Sequence, residues 1–106
     1  MASAMQLLSP QSAVVTLLTV ILELPGCSSL KEKRGRLAAI INRIQKEFNV
    51  SVAETDYQDA WQSAVLSCVI VSNDAPHNSR VLNNILRYLE SHYTDEPVVE
   101  SHQVTR

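Results

Sequence analysis

The pattern of apolar, charged and turn-forming segments predicts an α+β domain: a four-stranded antiparallel sheet with two helices on one face. Three observations carry that expectation. An apolar run rich in β-branched residues spans Val14 to Leu24. Two long segments with helical periodicity follow, each introduced by capping residues. Two further strand patterns lie between them, and a polar one ends the chain. The order strand, helix, strand, strand, helix, strand folds most simply as two strand–helix–strand units, the ferredoxin-like βαββαβ sandwich.

Each element has its own local reason. Pro25-Gly26 stops the first strand. Ser29 and Glu32 form a Ser-x-x-Glu capping box, so a helix begins there. Leu30, Leu37, Ile41, Ile44 and Phe48 make its apolar stripe, with Lys33 and Arg34 beside the stripe on the first turn, and Asn49 closes it. Val50 to Asp56 reads as a short strand, Tyr57-Gln58-Asp59 as a connection, and Ala60 to Ser72 as a longer strand. Ser72-Asn73-Asp74 caps a second helix, which tolerates Pro76 in its first turn. Leu82, Ile85, Leu86, Leu89 and Tyr93 mark that helix's buried face. Thr94-Asp95-Glu96-Pro97 ends it, and Val98 to Val104 reads as an edge strand.

Residues 1–11 read as an N-terminal extension and residues 12–106 as one domain, a size that supports a single core. The net charge of −2 excludes a polycation, so nucleic-acid binding needs a local patch. Cys27 and Cys68 lack metal or redox spacing and read as free thiols, with a mutual disulfide as the alternative. The apolar run from Ala13 to Leu24 is too short to span a membrane. No Lys or Arg precedes it, as a signal peptide requires. A cytoplasmic protein is expected.

A one-layer sheet in water should have one polar face. Here the first and third strands are apolar on both sides. Ala64, Leu66, Cys68 and Ile70 alternate with Trp61, Val65, Val69 and Val71; Leu17 lies among apolar residues on either side. The reading adopted places Leu17, Ala64, Leu66, Cys68 and Ile70 on the open face and expects self-association through it. The competing expectation is that the N-terminal extension folds over that face.

Four blocks then resemble a known family. Ser29-Leu30-Lys31-Glu32-Lys33-Arg34, Phe48-Asn49-Val50-Ser51-Val52-Ala53-Glu54, Gln58-Asp59-Ala60-Trp61-Gln62 and Val71-Ser72-Asn73-Asp74 are similar, in order and spacing, to the YlxP-like family of small bacterial proteins. The resemblance covers residues 14–104. It implies a ferredoxin-like domain of unknown function, whose genes often neighbour those for translation initiation and ribosome maturation factors. A role near the ribosome is implied by that association alone. Gly35, Ser67-Cys68 and the extension depart from the family pattern.

The chemical candidates are few. Six of the nine basic residues lie between Lys31 and Lys46. Lys31, Lys33, Arg34, Arg36 and Arg43 are the candidate phosphate or RNA contacts, because helix-start amides and mobile cations attract anions. The competing reading is a solvated face with a Glu32–Arg36 pair. Base stacking on the sheet is not expected, since the open face as read carries no aromatic and Trp61 falls on the other side. Glu54, Asp56 and Asp59 surround a hairpin, as a polar turn with Asp59 capping amides or, alternatively, a Mg²⁺ site. The resemblance adds a further reading, a clamp on Trp61 or on the first helix's cations. His77, His92 and His102 are scattered without metal spacing. No catalytic constellation, metal or cofactor is expected, so the chain reads as non-enzymatic. Its expected partners are a second copy and RNA or a ribosomal subunit, with no membrane. The alternatives are a protein–protein adaptor and a dimeric small-molecule sensor with a site near Pro25-Gly26.

Overall fold

The computed structural model describes residues 12–106; the extension expected at 1–11 lies outside the described residues. The elements are β1 (Val14–Glu23), α1 (Leu30–Glu47), β2 (Ser51–Asp56), β3 (Ser63–Ser72), α2 (Ala75–His92) and β4 (Val98–Thr105). The sheet order is β2-β3-β1-β4, with every neighbouring pair antiparallel, so the predicted ferredoxin-like topology is present. Both helix starts match their sequence signals. Ser29 caps α1 and Asp74 caps α2, each side chain accepting from a backbone N–H three residues on.

Both helices pack on one sheet face. Leu18, Val20 and Leu22 of β1 and Ala64, Leu66 and Cys68 of β3 join Leu37, Ile40 and Ile44 of α1 and Leu82, Ile85 and Leu89 of α2 in one core. That placement corrects the face assigned from the sequence. Ala64, Leu66, Cys68 and Ile70 are buried under the helices rather than open. Directly paired residues share a face, and Leu18 pairs with Cys68, Val20 with Leu66 and Leu22 with Ala64. Leu17 pairs with Val69, so of the five residues expected on the open face only Leu17 is there. Both alternations of β3 are apolar, and period 2 alone cannot say which one the helices cover. Burial also pushes the Cys68 thiol up to about 11, and both cysteines are free.

β3 begins at Ser63, later than the Ala60 expected, because residues 57–62 form a tight connection. Its carbonyls turn away from a strand ladder toward the Lys33 ammonium described below. No helix of the described residues is long and apolar enough to cross a membrane.

Candidate functional site

The five predicted cations do not form one patch. Lys33 is 1% exposed, inside the protein. Its stripe neighbours Leu37, Ile40 and Ile44 follow at helical steps, so position 33 necessarily faces the sheet. The ammonium donates to Tyr57 O at 2.6 Å and Ala60 O at 2.7 Å, and lies 2.8 Å from Glu54 Oε2. The approach to Glu54 is a charge contact rather than an aligned hydrogen bond, and that oxygen is itself buried. Two carbonyl acceptors and one carboxylate charge thus surround the ammonium and offset the cost of taking it out of water. Lys33 is therefore corrected from a phosphate contact to an internal clamp. The clamp holds a strained segment: Tyr57 has φ 61°, a left-handed conformation rare for a bulky residue.

Arg36 and Arg43 lie seven residues apart, on the flank of α1 that faces α2 and its following loop. Arg36 Nε donates to Glu96 Oε2 at 3.1 Å, and a terminal nitrogen donates to the same oxygen. The other contacts are Pro25 O and Asp95 O, each at 3.3 Å. The hydrogen bond to Glu96 raises the Arg36 pKa above its ordinary value. Arg43 Nε donates to the Tyr88 hydroxyl at 2.8 Å, which raises its pKa, and lies 3.5 Å from Glu47. Lys31 and Arg34, three residues apart, stay exposed together on the opposite flank. The expected Glu32–Arg36 pairing gives way to a different one. Glu32 Oε2 accepts from Ser28 N at 2.8 Å and Ser28 Oγ at 3.1 Å, and these bonds lower its pKa. That places the capping box one residue upstream on the acceptor side.

The other candidates also resolve. Glu54 clamps Lys33, Asp56 Oδ1 accepts from Tyr57 N at 2.8 Å, and Asp59 is exposed; Asp56, not Asp59, caps the turn. Among the described residues no group of three or more His, Cys, Asp or Glu could hold a metal. A cleft of about 520 Å³ does lie at Pro25, between Glu32, Arg36, Asp95, Glu96 and Pro97. Its guanidinium is engaged by Glu96, so the cleft offers no free cation to a ligand. One buried polar residue is absent from the sequence reading. Asn78 is buried, donating to Val14 O and Thr16 Oγ1 and accepting from Ser72 Oγ at 2.6 Å, so it ties α2 to β1 and β3. Its signal was available: it continues the stripe Leu82, Ile85, Leu89 one turn upstream.

Among the described residues, what remains uncovered is the open sheet face. There Val15, Leu17 and Val71 are 41, 38 and 66% exposed. Trp61 lies in the connection ahead of β3, where it is exposed. Between the apolar residues runs a hydroxyl band: Ser67 Oγ lies 3.3 Å from Thr19 Oγ1 and 2.8 Å from Thr55 Oγ1.

Comparison with known proteins agrees with this architecture. A family model described as "Protein of unknown function (DUF503)" matches residues 15–102. The "Uncharacterized protein YlxP" of Bacillus subtilis (strain 168) is 40% identical over 63 residues, which are 59% of this chain and 68% of that protein. The solved structure of "De novo designed protein Foldit4" superposes with a TM-score of 0.52 and 18% identity, over 89% of this chain and 98% of that one. That likeness shows the fold alone. The chain belongs to the DUF503 family of proteins of unknown function, the YlxP-like family that its motifs resemble.

Proposed function

We propose that the chain is a non-enzymatic protein-interaction module whose working surface is the open face of its sheet. The observation that carries this reading is the exposure of Val15, Leu17 and Val71 on a face that no helix of the described residues covers. The candidate phosphate site supports the same direction by subtraction. Three of its five cations already have partners in the fold: Lys33 inside it, Arg36 half-buried against Glu96, and Arg43 at the surface on Tyr88. A photo-reactive residue at Leu17 or Val71 should give discrete protein adducts in cells, and the same residue at the exposed helix position Ala38 should not. Sheet positions that give no adduct, or adducts equal at all three sites, overturn the reading.

A second reading rests on Lys31 and Arg34, which remain exposed on one helix flank. These two are the residual contacts for RNA or a ribosomal subunit, and binding through them is strongly salt-dependent. Co-sedimentation with small ribosomal subunits at low salt, lost in Lys31→Glu/Arg34→Glu, supports it. No pelleting at low salt removes it.

A further inference from the structure

Resting on the open-face reading above, we infer that the occupant of this face is a second copy of the chain, stacked face to face about a two-fold axis along the Thr19–Ser67 row. The anatomy of the face argues for it. Its centre is Leu17, Thr19 and Ile21 of β1 beside Val69, Ser67 and Val65 of β3, paired in that order, with Val65 already buried within one copy. Apart from Leu17 these side chains are small or β-branched, which suits the close approach of two sheets. Two hydrogen bonds already join the three central hydroxyls, so covering them leaves a single O–H donor to be met by the partner. The charges sit at the rim. Asp56, opposite Val65, lies on the β2 edge; Glu100, opposite Ile21, lies on the β4 edge; Glu23 ends β1. An apolar centre with a charged rim is the build of a specific interface.

Size and charge select the occupant and its orientation. Four strands of ten, six, ten and eight residues, about 4.8 Å apart at 3.4 Å per residue, present roughly 550 Å² per copy, so two copies cover about 1,100 Å², just above the roughly 1,000 Å² a specific interface must clear. All three carboxylates lie toward the Glu23 end, whereas Val15, Val71 and Arg106 lie at the other. Stacking like ends would set Glu100 of one copy against Asp56 of the next. An axis across the strands at Thr19 avoids this. It lays Leu17 over the partner's Ile21 and Val69 over the partner's Val65, and brings the Arg106 end over the Glu23 end. A two-fold axis makes each of these contacts twice.

The test combines sedimentation with a short bis-maleimide on the full chain. Both native cysteines are buried, so an introduced thiol is the one that reacts. The wild type should rise with concentration from 11.8 kDa toward twice that mass. Leu17→Glu, at an exposed site and checked for native circular dichroism, should weaken association about tenfold or more by burying a charge. Thr19→Cys should cross-link to its own copy, and Glu23→Cys should not. A wild type that stays monomeric, a dimer indifferent to Leu17→Glu, or Glu23→Cys linking as well as Thr19→Cys overturns the proposal. A monomer whose Leu17 adduct is a different protein overturns only the second copy and leaves the open-face reading standing. A monomer with no sheet-face adduct removes both.

Discussion

Lys33 shows how a charge is judged by its place in a helical stripe. Read by composition it belongs with Lys31, Arg34 and Arg36 as a basic cluster. Read by spacing it fills the gap between Leu30 and Leu37, at a position that must point to the sheet. Inside the protein its charge is balanced by Glu54 and two carbonyls, and it fixes the residue 57–62 connection that presents Trp61. Lys33→Ala strands the Glu54 carboxylate and should cost about 3–5 kcal/mol of stability, measured by urea unfolding. A loss below about 1 kcal/mol, as for a surface ion pair, contradicts the clamp. Asn78 carries the same lesson: a polar residue in a core stripe signals a buried network, and only the fold reveals its partners.

At the scale of elements, the two helices and four strands were legible because capping, periodicity and turn residues agree with one another. Their ends moved by a few residues where a tertiary contact intervened, as at Ser63. α1 carries one local weakness. Gly35 lies within the helix, and a Cβ there would meet nothing within 4 Å. The backbone freedom that glycine brings to the unfolded chain is therefore uncompensated in the folded one. Gly35→Ala should raise stability by about 0.5–1 kcal/mol, seen as a higher urea midpoint with an unchanged slope. Gly26 differs, since its φ of 75° makes a side chain unfavourable there.

For the whole molecule the deciding question is which sheet face the helices cover. Leu66 and Leu17 are chemically alike and lie on neighbouring strands, yet one is wholly buried and the other 38% exposed. Leu66→Ala should therefore cost about 2–5 kcal/mol in unfolding, while Leu17→Ala should cost less than about 1 kcal/mol and act on association instead. Equal losses at the two positions would contradict the assignment of faces. The same assignment decides how the molecule meets others. Of the candidate cations of α1, Lys33 turns inward, Arg36 and Arg43 lie toward α2, and Lys31 and Arg34 stay in water, while the open face of the sheet exposes Val15, Leu17 and Val71.

By itself the sequence determined the order, type and caps of the elements, the ferredoxin-like topology and the family, because these depend on residues close together along the chain. Only the tertiary structure decided which apolar face of β3 became core and which of the five cations stayed free. Those outcomes depend on partners distant in sequence. Lys33 finds Glu54 and the Tyr57 and Ala60 carbonyls, Arg36 finds Glu96, and Arg43 finds Tyr88 only once the helices lie on the sheet. A period of two or of 3.6 marks a face, but what covers it is settled by packing across the whole fold.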